Sequence, residues 1–128
     1  AEEFEPQIII TNGGSDPHFG DSLGSLALTT RGFFELAKTV RRTAEGVCNG
    51  RVIMLIGSGY NPKVLPVCWY ALMAGLVGLK KIDVREPYDL PRQRPNSRST
   101  VENTVDELKR LLRKQWACFS GYSVSGIQ

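Results

Sequence analysis

Four side chains have types and positions that could share a reaction. Asp16, His18 and Asp21 lie close together in a loop rich in Gly, Ser and Pro, and Tyr60 follows Gly57-Ser58-Gly59 further along the chain. An Asp and a Tyr brought to one edge of a sheet suit a metal-assisted hydrolysis. The carboxylate helps hold the ion, and the phenol hydrogen-bonds the oxyanion that develops on the attacked carbonyl. Plainer roles compete. Asp in a Gly-rich loop often bonds its own backbone, and most tyrosines are half-buried aromatics with a satisfied hydroxyl. Gly57-x-Gly59 ahead of a helix could cradle a phosphate or dinucleotide, but the third glycine of that fingerprint is absent.

These residues need elements to position them. Gln7-Ile8-Ile9-Ile10-Thr11 and Val52-Ile53-Met54-Leu55-Ile56 are continuous apolar runs of strand length, each closed by a Gly-containing turn. They read as strands buried on both faces, as in parallel sheets. Between them Thr29 or Thr30 can cap a helix whose stripe is Phe33, Ala37, Val40, Ala44 and Val47, with an end near Asn49-Gly50. Strand, helix and strand spell a right-handed βαβ unit, and ligands in such sheets bind beyond the carboxyl ends of the strands. Those ends carry the Asp16 loop and Tyr60.

Asn61-Pro62 predicts the start of a second helix, apolar nearly all round to Leu79 and so buried on more than one face. Trp69, Phe33 and Phe34 read as core. Pro87, Pro91 and Pro95 then mark a surface segment. Ser99-Thr100-Val101-Glu102 has the form of a capping box before a last amphipathic helix, with Val101, Val105, Leu108 and Leu112 on one stripe and Lys109, Arg110, Arg113 and Lys114 near its end.

The 128 residues are the size of one domain. No apolar run approaches the length needed to span a bilayer. The start is acidic where a signal peptide would be basic and then apolar, and there is no initiator Met, so a processed, cleaved or excised chain is expected. Cys48, Cys68 and Cys118 form no CxxC pair, which suggests neither a disulfide framework nor a cysteine-rich zinc finger and favours a reducing, cytoplasmic setting. Residues 1–24 hold five acids and no Lys or Arg, whereas Lys80 to Lys114 hold ten basic and six acidic residues. That interleaved surplus is expected to be a solvated face; a nucleic-acid footprint would be denser.

The longest signal is the loop itself. Asn12-Gly13-Gly14-Ser15-Asp16-Pro17-His18-Phe19-Gly20-Asp21-Ser22-Leu23-Gly24-Ser25-Leu26-Ala27-Leu28-Thr29, followed by Gly57-Ser58-Gly59-Tyr60-Asn61 after the next strand, resembles the paired loops of the histone deacetylase and acetylpolyamine amidohydrolase superfamily. The segment from Glu86-Pro87-Tyr88 to Phe119 resembles the C-terminal extension of its prokaryotic, especially archaeal, members. The resemblance implies an α/β fold, here the βαβ portion of an open, mainly parallel, three-layer arginase/deacetylase-like sheet that is incomplete on its own. It divides the chain into residues 1–80, the C-terminal part of the core, and 81–128, a Pro/Arg-rich extension with an amphipathic helix.

By that resemblance Asp16 is a zinc ligand, Tyr60 polarises the acyl carbonyl, and Leu23, Ser58 and Gly59 border the substrate tunnel. Ser58 stands where the family usually has glycine, and Asp21-Ser22 where it has Asp-Pro. Asp21 is expected to be structural. His18 imitates the family's Asp-x-His ligand pair but sits in the loop where only the Asp coordinates, so it is not expected to bind metal. The other ligands and the tandem histidine acid/base have no counterpart in a chain with one His. The implied function is a zinc-dependent deacetylase acting on an N-acetyl or N-acyl amine, inactive as this chain alone. The implied partner is an upstream segment or a second chain, including another copy of this one; neither membrane nor nucleic acid is expected. The competing reading is a non-catalytic assembly module that uses an exposed sheet edge, and nucleotide binding at Gly57–Asn61 is a third.

Overall fold

A computed structural model describes residues 1–92 and 97–121. The chain forms two compact units, Ala1–Pro91 and Arg92–Gln128. In the first, a single turn of 3-10 helix at Glu2–Phe4 leads into strand β1 (Ile9–Asn12), helix α1 (Thr30–Cys48), strand β2 (Val52–Leu55) and helix α2 (Leu65–Leu76). In the second, helix α3 (Ser97–Leu112) is followed by a 3-10 turn at Ala117–Phe119.

β1 and β2 pair in parallel, with Ile9 opposite Val52 and Asn12 opposite Leu55. Gly13 N–H extends the ladder to the Leu55 carbonyl (2.7 Å). α1 begins and ends where its local chemistry demands. The Thr29 hydroxyl accepts from Gly32 N–H (3.1 Å), satisfying a first-turn donor that has no partner inside the helix. At the other end Asn49 takes a left-handed conformation (φ 53°), which Asn tolerates better than most residues, and Gly50 follows it at φ 74°.

α1 and α2 pack on each other and make the core: Phe33, Phe34 and Ala37 from one, Cys68, Ala71, Leu72 and Ala74 from the other, with Val64 beside them and Leu28 and Met54 against them. Gly75 lets the two backbones meet, since a Cβ there would lie 2.5 Å from the Phe34 carbonyl oxygen and 2.8 Å from Ala37 Cβ. The thiols of Cys48 and Cys68 are buried. Burial, then the nearby Glu86 and Asp21 carboxylates, pushes the Cys68 thiol up to about 12.

Three local expectations are corrected. The strands are covered on one face only: Met54 packs on the helix core, while Ile10 (61%), Ile53 (46%) and Leu55 (57%) remain exposed. α2 starts at Leu65 rather than Pro62, because Asn61 O accepts from Val64 and Leu65 N–H and makes a turn of the intervening residues. It stops at Leu76, ahead of Gly78 at φ 81°, and leaves Tyr70 and Met73 exposed, so it too is buried on one side. In the second unit α3 starts at Ser97, which places Ser99 inside the first turn. Glu102 there pairs with Arg98 (2.9 Å, i,i+4).

Candidate active site

Both candidate loops leave the carboxyl ends of the parallel pair, and short-range bonds lace them together. Ser15 N–H donates to the Ser58 carbonyl (2.7 Å). Ser58 Oγ donates to Asp16 Oδ1 (2.5 Å). Gly59 sits at φ 140°, and a Cβ there would collide with Ser15 Oγ, so only glycine lets the second loop press this closely on the first.

Asp21 ties the same two loops from the other side. Its Oδ1 accepts from Leu23 N–H (2.9 Å) and Gly24 N–H (3.0 Å), an Asx-type turn, and its Oδ2 accepts from Tyr60 N–H (2.8 Å). These backbone donors, Tyr60 first and Leu23 next, hold the carboxyl below its ordinary value although burial opposes them. Asp21 thus has a structural task, and Tyr60 has its main chain fixed while its ring is 57% exposed at the sheet edge. The Tyr60 N–H, which a phosphate-cradling loop would turn toward a ligand, is bonded to Asp21 instead.

Asp16, Ser58, Gly59 and Tyr60 are therefore neighbours on one rim. Leu23 belongs to the same loop and is 72% exposed. His18 is turned inward. Its ring is fully buried, stacks on Phe19 with centroids 4.4 Å apart, accepts from Gly20 N–H at Nδ1 (2.9 Å) and donates from Nε2 to Glu86 Oε2 (3.0 Å).

Two residues enter the site that sequence reasoning did not place there. Glu86 accepts from His18, from Thr30 N–H (2.6 Å) and from Thr30 Oγ1 (2.9 Å). Tyr88 Oη accepts from Asn61 Nδ2 (2.9 Å), which also donates to the Gly20 carbonyl (2.6 Å). The one available clue was the chain's single His, whose buried N–H would need an acceptor; nothing local pointed to residue 86.

The donors available to a metal can be counted. Ser58 Oγ bonds one oxygen of Asp16, Oδ1. Backbone donors take both oxygens of Asp21, and Gly20 and Glu86 take both nitrogens of His18. Among the described residues no group of three or more His, Cys, Asp or Glu side chains could hold a metal ion. A complete zinc centre does not fit the described residues.

Comparison with known proteins bears on the family and the fold. A family profile for the histone deacetylase domain matches residues 1–76. The chain is 34% identical over 123 residues to a probable deacetylase of Archaeoglobus fulgidus, covering 91% of this chain and 34% of that protein. It is 35% identical over 77 residues to the acetoin utilization protein AcuC of Staphylococcus aureus, covering 59% of this chain and 20% of AcuC. The solved structure of the histone deacetylase Clr3 is similar in fold, with a TM-score of 0.67 at 20% identity over 98% of this chain and 19% of that one. The chain thus spans about a third of the length of its archaeal relative. No helix among the described residues is long and apolar enough to cross a membrane. With more than half its length matched and both motif loops meeting at the carboxyl edge of a parallel strand pair, the chain belongs to the histone deacetylase family.

Proposed function

We propose that this chain is the C-terminal portion of a zinc-dependent deacetylase of prokaryotic type, hydrolysing an N-acetyl or N-acyl amine in a reducing, cytoplasmic setting. One observation carries the reading: the Asp16 and Tyr60 loops are locked side by side through Asp21 and Ser58. Asp16 would supply one carboxylate ligand. Zinc, when bound, lowers the pKa of a coordinated water and polarises the carbonyl. Tyr60 is 57% exposed at the rim and would donate its hydroxyl to the oxyanion as the carbonyl is attacked. Leu23, Ser58 and Gly59 would border the entry for the acyl-amine substrate. The remaining ligands and the proton-transferring histidines would come from an upstream segment or a second chain, so this chain alone is expected to be inactive.

The test is reconstitution. The chain is assayed for zinc and deacetylase activity alone, then with an upstream segment of about two hundred residues. Activity on mixing only is the expected result; stoichiometric zinc on the 128 residues alone would contradict it. In the completed enzyme Tyr60→Phe should lower kcat by roughly 100-fold, the usual cost of one lost oxyanion donor, with zinc content unchanged. Loss of zinc in that variant would remove the role assigned to Tyr60.

The exposed Ile10, Ile53 and Leu55 favour a second reading, an assembly module that covers this face with another chain or another copy of itself. A concentration-dependent dimer that is inactive with every upstream segment would support it over the first.

A further inference from the structure

From the arrangement around His18 we infer that Glu86 is a positioning residue for the site, and that residues 86–88 form a strap over the backs of both candidate loops. The inference rests on the reading of Asp16 and Tyr60 given above. His18 lies two residues from Asp16, is fully buried, and takes no part in the proposed chemistry. Gly20 N–H donates to Nδ1, so the ring proton sits on Nε2, where it is donated to Glu86. Glu86 in turn is held by the N–H and hydroxyl of Thr30 at the start of α1, where the helix dipole favours an anion. The imidazole thus connects the Asp16 loop to the end of a nineteen-residue helix.

Two residues on, Tyr88 makes the matching connection. Its hydroxyl accepts from Asn61, the residue after Tyr60, and Asn61 reaches across to the Gly20 carbonyl. The Tyr88 ring also lies against Gly20, where a Cβ would be 2.7 Å from Cδ2. One short segment therefore supports both loops, each beside its candidate functional residue. That segment lies beyond residues 1–76, the part matched by the family profile. The outer partners of ligands and catalytic groups set their orientation, and their loss commonly costs 10–100-fold in activity or metal affinity.

The chain has a single His, so its imidazole can be followed alone by nitrogen-edited NMR on the 128-residue protein. The expected signature is an unprotonated Nδ1 and an Nε2 proton in slow exchange with water. Glu86→Ala should abolish that slow exchange and shift the amides of Asp16 to Gly24 and of Tyr60 and Asn61, leaving those of Val40 to Cys48 in place. Glu86→Gln, which keeps an acceptor, should restore part of the protection. In the reconstituted enzyme Glu86→Ala should lower kcat by roughly tenfold with little change in KM. An Nε2 proton still protected in Glu86→Ala, or shifts spread evenly over the whole first unit, would overturn the inference. If that variant does not fold, Tyr88→Phe supplies the test: the Asn61 side-chain amide and Tyr60 N–H should move, and their staying put counts against the strap. If the native chain shows the imidazole signature and the variants behave as expected, yet no reconstituted form deacetylates, the strap stands and the functional reading fails.

Discussion

Asp21 performs no chemistry in the proposed reaction, yet it decides whether the two loops stay together. Its carboxylate answers N–H groups on both, and those bonds are strongest with the ionised form. A carboxyl held below its ordinary value stabilises the fold above that value and loses the contribution as pH falls through the folded-state pKa. The stability linked to Asp21 is therefore complete above about pH 3.8, the ordinary value, and declines below it. Thermal melts of wild type and Asp21→Asn between pH 2 and 6 should diverge at the upper end and converge at the lower. Parallel curves would mean that the carboxylate charge is not what joins the loops. The structural role of Asp21 was open to reading, because an Asp in a Gly-rich loop commonly bonds nearby backbone N–H groups. The inward turn of His18 was not, since the side chain's direction depends on an acceptor supplied 68 residues later.

Among the elements, the helix pair is the most exposed to a single change. Gly75 has the Phe34 carbonyl, Ala37 Cβ and Lys38 N within 3.1 Å of where a side chain would begin. Two of those three atoms are backbone and cannot rotate away. Gly75→Val should force α1 and α2 apart and cost about 1–3 kcal/mol, the usual range for overpacking, read as a lower midpoint in urea with unchanged slope. Unchanged stability would show that the helices slide freely. α1 was legible from end to end because its signals are local: a threonine cap, an apolar stripe and an Asn-Gly stop. The start of α2 was misread for the opposite reason. The Asn61 side chain bonds Gly20, Tyr88 and Lys63, so its role is settled by tertiary contacts as well as by its turn. The strands were recognised by composition, but an all-apolar run says nothing of which face a neighbour will cover. Half of that surface is open here.

For the molecule as a whole, the stretch matched by the family profile and the first compact unit have different lengths. The profile match ends at Leu76, whereas the first compact unit runs to Pro91. Between them lie Ile82, packed on the core, and the Glu86–Tyr88 strap. Chains ending at residue 91 and at residue 80 should therefore melt differently. The shorter one buries the His18 N–H without an acceptor, at about 1–3 kcal/mol, or roughly 4–8 °C per kcal/mol for a domain this small. Circular dichroism would show it, and equal melting temperatures would refute the strap's contribution. The same pairing bears on descent. An acid at 86 and an imidazole at 18 answer one another across the fold, so a lineage that loses the first must also replace the second. The two positions should be inherited as a pair, although only one of them lies within the stretch that the family profile matches.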